Sequence, residues 1–135
     1  MIKKVKFLIV LILISGSTTF SQQRDSCKVL MKEISGFYKG KCKNGLANGK
    51  GTAKGDDTYI GNFKDGLPDG RGKYTYQNGN TYYGFWKNGL KHGQGRYKYF
   101  ANGKEVVQKG FWKDGNYVGK TDPDILLSNK SIRNR

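Results

Sequence analysis

The sequence predicts an all-β protein, an elongated single-layer antiparallel sheet built from about four tandem β-hairpin repeats. Nineteen of the twenty glycines and all nine tyrosines lie between Gly36 and Gly119. Within that stretch glycine recurs in a fixed register, and Asn-Gly or Asp-Gly follows each aromatic segment. We also expect short caps at both ends, with a short helix near the C-terminus.

The glycine register is the evidence for an internal repeat. Each of four reference glycines is followed by further glycines five and nine residues later, and the first three also by one eleven residues later. The reference glycines are spaced by 21, 23 and 26 residues, and they are Gly40, Gly61, Gly84 and Gly110. Self-similarity at such a period is typical of stacked repeats that share one core.

Each unit reads as two short strands. The first has the pattern aromatic-x-Gly-x-aromatic, as in Tyr59–Phe63 and Tyr82–Trp86, and the second runs from Gly70 to Tyr76 and from Gly93 to Tyr99. The fourth unit has Gln108 where the tyrosine should stand. A type I′ hairpin turn joins the two strands, because the intervening dipeptides accept positive φ. These are Asn44-Gly45, Asp65-Gly66, Asn88-Gly89 and Asp114-Gly115, while Asn78-Gly79 and Asn102-Gly103 turn the chain into the next unit.

Period-two alternation assigns the two faces of the sheet. Tyr82, Gly84 and Trp86 share one face, where glycine leaves room for a ring to lie across the neighbouring backbone. The opposite face is predicted to be wet and carries Lys73, Thr75, Gln94, Arg96 and Lys98. The residues expected to be structural are Gly40, Gly61, Gly84, Gly110, Tyr59, Tyr82, Trp86 and Trp112.

The first 21 residues have the pattern of a secretory signal peptide. Three lysines precede an apolar run, Phe7 to Ile14, and small residues lead to a cleavage position after Ser21. The run is short of the roughly 20 residues of a bilayer span, which disfavours the alternative of an uncleaved anchor. We therefore expect an exported protein that is periplasmic, secreted or held at the cell surface.

Charge and cysteine content fit that location. Without residues 1–21 the chain has 22 basic and 10 acidic residues, a net charge of +12. Such a charge favours anionic partners, with solubility as the alternative reason for it, and export argues against nucleic acid. Cys27 and Cys42 are expected to form a disulfide in an oxidising compartment, with two free thiols as the alternative.

The repeat array is predicted to span residues 37–120, between an N-terminal cap (22–36) and a C-terminal cap and tail (121–135). Residues 27–34 are expected to cover the open end of the array. Asp122 and Pro123 have the pattern of a helix start, N-cap followed by first helical position. The tail from Ser128 onward is expected to be disordered.

The unit Tyr-x-Gly-x-Phe/Trp-Lys-Asn/Asp-Gly-Leu-x-x-Gly-x-Gly-x-Tyr resembles the MORN repeat over residues 37–120. The resemblance implies a chain of β-hairpins in one extended sheet, with no catalytic residues of its own. It also implies binding to acidic phospholipids or scaffolding of protein assemblies.

No enzyme activity and no cofactor or metal is expected. The pair Asp56 and Asp57 lies in a turn-like segment, and His92 is expected to be a lone imidazole without a nearby carboxylate or cysteine partner. Zinc would need three or four ligands, and His92 is the single histidine.

Two sets of residues are candidates for binding. Some cations directly precede a hairpin turn, and others directly follow the glycine that lies nine residues after a reference glycine. Both sets should form ladders of positive charge along the sheet. The alternative role of these cations is to keep the sheet edge from pairing with another sheet. They are Lys43, Lys64, Lys87 and Lys113, and Lys50, Arg71 and Lys120. The exposed aromatic candidates are Tyr83, Phe85 and Phe111. Two functions follow: a scaffold for an unidentified envelope protein, or a peripheral binder of acidic phospholipid or glycan.

Overall fold

The computed structural model describes residues 27–133, so the predicted signal peptide lies outside it. The described chain forms one antiparallel sheet of eight strands in sequential order, each paired with the next. This confirms the predicted fold class. The strands are β1 (Phe37–Lys43), β2 (Leu46–Lys54), β3 (Thr58–Lys64), β4 (Leu67–Thr75), β5 (Thr81–Lys87), β6 (Leu90–Ala101), β7 (Lys104–Lys113) and β8 (Asn116–Gly119), preceded by a 3-10 turn (Lys32–Ile34) and followed by α1 (Pro123–Arg133).

The hairpin turns have the predicted backbone conformation. In the four turns that join β1–β2, β3–β4, β5–β6 and β7–β8, both central residues have positive φ, for example 48° at Asp65 and 82° at Gly66. Asn102-Gly103 has the same geometry. The β4–β5 turn differs, because only Gly79 has positive φ there, and the loop closes through a bond from the Gly79 N–H to the Tyr76 carbonyl.

A tyrosine lying across a pair of glycines is the packing unit of the repeat. The Tyr82 hydroxyl donates to the Phe85 carbonyl at 3.1 Å, so the ring spans Gly84 and its register partner Gly95. Tyr38 and Tyr59 repeat this arrangement, each donating to the carbonyl three residues later at 2.7 and 3.0 Å. Glycine is required because a side chain would occupy the place of the ring.

In the fourth unit the ring over the glycine comes from the second strand of the hairpin. Gln108 cannot supply the ring, and Tyr117 of β8 takes its place over Gly110, where its hydroxyl donates to the Lys109 carbonyl at 3.1 Å. A tyrosine from a different position in the repeat thus occupies the place of the missing ring.

The buried rings form a continuous edge-to-face chain along the sheet. Tyr59 contacts Phe63 and Trp86 with centroids 5.0 and 5.5 Å apart, and Tyr82 contacts Trp86 and Trp112 at 5.2 and 5.3 Å. Edge-to-face pairs add stability beyond the area that they bury. All four residues predicted here as structural aromatics, Tyr59, Tyr82, Trp86 and Trp112, are buried.

Successive turns are also bonded to each other. In each of the last three units the N–H of the turn glycine donates to a carbonyl of the preceding unit: Gly66 to Ala47 at 2.9 Å, Gly89 to Pro68 at 2.8 Å and Gly115 to Lys91 at 2.9 Å. The four hairpin turns therefore stack along one edge of the sheet, and each unit holds the next.

The N-terminal segment differs from the prediction of an end cap. Cys27 and Cys42 form the predicted disulfide, with 5.7 Å between Cα atoms. From there the chain does not stay over the open end. Val29 and Ile34 are buried in the core with Ala53 and Tyr59, so the segment crosses the aromatic face of the first units. The reason is that the first unit carries Cys42 and Ala53 where later units carry rings, and the segment fills that space.

The C-terminal helix begins as predicted and ends later. The Asp124 N–H donates to the Asp122 carboxylate at 2.9 Å, and Pro123 is the first helical residue. The expectation of disorder from Ser128 was wrong up to Arg133, because neither proline nor glycine interrupts that stretch. Ile125 to Leu127 remain exposed, so the helix does not cap the array with its apolar residues. Within residues 27–133, no helix has the length and apolar character needed to cross a membrane.

Burial of the tyrosines leads to a prediction about pH. Burial raises the pKa of Tyr59, Tyr74 and Tyr82 and that of Tyr76 to about 12. Unfolded tyrosines titrate near pH 10. The stability that the raised tyrosine pKa values give the folded state is therefore fully present below about pH 10, and it is lost as the pH rises through the pKa values of the folded protein. Burial lowers the pKa of Lys91, so this one group favours the folded state as the pH rises and acts against the loss of stability caused by the tyrosines. We expect the free energy of unfolding, measured with urea, to fall steeply above about pH 10.

The control for this prediction is Tyr76→Phe, which removes one titrating hydroxyl and keeps the ring. Its stability should fall less between pH 9 and pH 11.5 than that of the wild type. Equal losses in both proteins would show that Tyr76 does not contribute to the alkaline transition.

Candidate binding face

The two faces of the sheet differ in chemistry. The inner face carries the aromatic rings. We use the name outer face for the eighteen residues of β2–β7 that lie on the other side in three rows parallel to the stacked turns. They are Lys50, Asn62, Arg71, Phe85, Gln94 and Phe111 in the turn row, Thr52, Ile60, Lys73, Tyr83, Arg96 and Lys109 in the middle row, and Lys54, Thr58, Thr75, Thr81, Lys98 and Val107 in the far row.

All the charged residues of the outer face are basic. Seven of its eighteen residues are lysine or arginine, and none is aspartate or glutamate. Six of these seven are exposed, and Lys98 is half-buried. Lys98 has its own acidic partner beyond the far row, Glu105, whose carboxylate lies 2.9 Å from the lysine nitrogen. The positive charge of the other six is not offset within the face.

Aromatic rings lie between these cations. Tyr83 and Phe85 are 47% and 39% exposed. The Arg71 guanidinium lies 4.9 Å from the centroid of Phe85, a cation–π contact that holds the arginine over the ring. In the middle row, Tyr83 pairs with Lys73 on one side and Arg96 on the other.

The far row adds neutral hydrogen-bonding groups. Thr58 pairs with Thr75, and Thr75 pairs with Thr81, which places three hydroxyl groups on neighbouring strands. Asn62 and Gln94 add amides in the turn row. The outer face therefore combines cations, rings and neutral donors and acceptors.

The predicted lysine ladder borders this face. Its four members are the last residues of β1, β3, β5 and β7, so they lie at the edge where the hairpin turns stack, and all four are exposed. They alternate with the buried ring positions and hence lie on the outer side. The members are Lys43, Lys64, Lys87 and Lys113.

The remaining predicted site residues also lie on the outer side. Lys50, Arg71, Tyr83, Phe85 and Phe111 belong to its rows. Lys120 follows β8 and lines a shallow depression with Phe111 and Lys109.

The sequence-based candidates omitted part of this surface. Lys73, Arg96 and Lys98 were assigned to the wet face but not to a binding site, and Lys54, Lys109 and Ile60 were not singled out. The signal that would have found them is the same alternation, counted from each tyrosine across the whole array.

The inner face is filled by a cation of the chain itself. The Lys91 ammonium lies 4.4 Å from the ring centroid of Trp112 and 4.9, 5.5 and 6.0 Å from those of Tyr97, Tyr82 and Tyr76. Earlier units have Ala47 and Pro68 at this position. Lys91 thus packs among the rings and covers this part of the inner face.

The acidic residues near the turns have structural contacts. The Asp57 carboxylate accepts the Tyr74 hydroxyl at 2.6 Å and the Gln77 N–H at 2.8 Å. The expectation that His92 lacks an acidic neighbour was wrong, because its Nδ1 lies 3.8 Å from Asp114. Stacking of the turns brings Asp114 of the next unit to it. Across residues 27–133, no three potential ligands cluster to hold a metal ion.

This architecture, tandem hairpins with a tyrosine over each glycine pair, defines a β-hairpin repeat protein. The MORN repeat model matches residues 38–57, 59–81 and 82–104, and the chain belongs to the MORN-repeat family. The β7–β8 hairpin forms a further unit beyond the matched residues. No curated protein matches the sequence. The family is typically non-enzymatic, and its repeats often bind membranes or proteins.

Proposed function

We propose that the protein is a non-catalytic binding module that attaches to an anionic partner through the outer face. The observation that carries this proposal is the absence of any acidic residue among the eighteen of the face, seven of which are basic. Arg96 and Lys109 are paired directly on neighbouring strands, and like charges about 5 Å apart repel one another. An anionic partner relieves that repulsion when it binds.

We place this binding outside the cytoplasm. The Cys27–Cys42 disulfide supports an oxidising compartment, and the sequence of residues 1–21 supports export. The partners available there are acidic lipids, acidic glycans and acidic proteins. Nucleic acid is not among the partners that we propose.

A second candidate function is a scaffold for another envelope protein. It is favoured by apolar side chains that are exposed outside the three rows, on the extended end of the β6–β7 hairpin and on α1. Phe100 is 59% exposed, and Ile125 to Leu127 are exposed as well. Binding through these residues would persist in high salt, whereas binding through exposed cations would weaken.

A matched pair of variants tests which cations bind. The face variant is K50Q/R71Q/K73Q/R96Q, and the edge variant is K43Q/K64Q/K87Q/K113Q, so both lose four charges. Each basic residue near an anionic surface contributes about 1 kcal/mol. We expect the face variant to lose at least tenfold in affinity for phosphatidylglycerol vesicles or sodium polygalacturonate at low salt, and the edge variant to lose less.

Circular dichroism and thermal melting establish that both variants fold. If the wild type binds neither probe at low salt, the anionic-partner proposal fails and the scaffold function takes its place. If the two variants lose affinity equally, total charge and not the outer face is responsible.

A further inference from the structure

We propose that the anionic partner is a linear acidic polysaccharide, one of whose sugar rings stacks on Tyr83 while its acid groups pair with the surrounding cations. This inference rests on the proposed function and specifies its ligand. Three properties of the outer face support a polysaccharide: the position of the rings, the cations on either side of them, and the neutral hydrogen-bonding groups nearby.

Tyr83 is placed for stacking. It lies on β5 within the sheet, and its ring is exposed without projecting from a loop. Phe85 lies two residues further along β5 on the same side of the sheet, and the Arg71 guanidinium over its ring adds a cation beside the sugar site. A pyranose has an apolar side made of C–H groups. The negative face of an aromatic ring attracts the positive edge of such groups, which favours a sugar lying flat on the ring.

The cations flank the rings at the spacing of the strands. Along the middle row the order across β4 to β7 is Lys73, Tyr83, Arg96 and Lys109, with about 5 Å between neighbours. A sugar on Tyr83 therefore has a cation on either side. A chain that runs across the strands, with a carboxylate or sulfate on successive sugars, meets these cations in turn, and Arg71 beside Phe85 adds a further one.

The neutral residues fit sugar hydroxyls. Thr58, Thr75 and Thr81 each offer a hydroxyl that can donate and accept, and the amides of Asn62 and Gln94 do both as well. Two of the rows thus contain groups that match the hydroxyls of a polysaccharide and have no counterpart in a ligand that consists of charge alone.

Other anionic partners match less of this face. The hairpin turns between residues 37 and 119 are Asn-Gly and Asp-Gly, which are polar and do not favour insertion into a membrane. Lysine is depleted in the cores of protein–protein interfaces, yet lysine is the most frequent residue type here. Single-stranded nucleic acid would use the same rings and cations, but the predicted export argues against it.

The experiment compares three polymers that separate the effect of charge from the effect of sugar rings. Polygalacturonate carries a carboxylate on each sugar ring, poly-L-glutamate carries carboxylates without rings, and methyl-esterified polygalacturonate carries rings without charge. We expect the wild type to bind polygalacturonate at least tenfold more tightly than either of the others, by calorimetric titration of the mature chain at one fixed ionic strength.

Ring removal supplies the second arm. Y83A/F85A should reduce the affinity for polygalacturonate at least tenfold and leave that for polyglutamate within twofold. Phe100→Ala removes an exposed ring beyond the three rows and should change neither. Tyr83→Phe, which keeps the ring, should bind like the wild type. If the double variant does not melt cooperatively, the single variant Tyr83→Ala is used in its place.

The outcomes separate this inference from the proposed function. Equal affinity for polygalacturonate and polyglutamate, unaffected by Y83A/F85A, would overturn the polysaccharide and leave the anionic-partner function standing. Tighter binding to phosphatidylglycerol vesicles or to single-stranded oligonucleotides would also overturn it. Binding to no anionic probe at low salt would remove both proposals.

Discussion

Gly84→Val is expected to abolish stable folding. A Cβ at residue 84 would lie 2.6 Å from the Gly95 Cα and 2.7 Å from both the Gln94 carbonyl and the Tyr82 hydroxyl. Backbone atoms cannot move aside cheaply, and the ring is held by its bond to Phe85. Overpacking of a core costs about 1–3 kcal/mol, and valine adds two further methyl groups to that clash. Thermal melting by circular dichroism measures the loss.

The matched control for this variant is Gly79→Asn. Gly79 lies in a turn with φ of 86° and has open space around it. Asparagine also adopts positive φ in this chain, 51° at Asn44 and 52° at Asn102, and no atom lies in its way, so the control should lose much less stability than Gly84→Val. A melting temperature for Gly84→Val within error of the wild type would mean that Tyr82 does not pack over Gly84.

Loss of the disulfide is expected to be the second large effect. In the chain-entropy model, closing a loop of about 15 residues stabilises a protein by roughly 3 kcal/mol. The bond also holds the segment that buries Val29 and Ile34 against the aromatic face. We therefore expect C27S/C42S to lower the free energy of unfolding in urea by about 3 kcal/mol.

Reduction of the wild type by dithiothreitol should reproduce the effect of C27S/C42S, and the reductant should not alter the variant further. Mass spectrometry of the unreduced protein supplies the direct check. Two freely alkylated thiols, or an unchanged urea midpoint for the variant, would contradict a stabilising bond between these cysteines.

Much of this fold could be predicted from the sequence because its rules are local. An Asn-Gly or Asp-Gly pair specifies the turn, the alternation after it specifies the face, and the 21- and 23-residue spacings specify which strands are neighbours. The β-hairpins, the buried Tyr59 and Tyr82, and the capped start of α1 all follow from neighbours in sequence.

What could not be predicted depends on contacts distant in sequence. The path of residues 27–34 is determined by space left beside Ala47 and Ala53, which no local pattern reveals. Tyr117 replaces the ring missing at Gln108 from another strand. The outer face was recognised only in part, because its cations come from four strands and their rows become visible only when the register of the pairs is known.

Because the turns stack through repeated backbone bonds, further hairpin units could be added to this protein without changes to the existing ones. Each unit bonds only to the one before it and the one after it, through the same backbone groups, so a duplicated hairpin would find a complete set of partners. Every added unit would also lengthen the rows of cations and rings. Gene duplication within such an array would thus extend the reach along a polymer and multiply the contacts made with it, while each individual contact stayed weak and reversible.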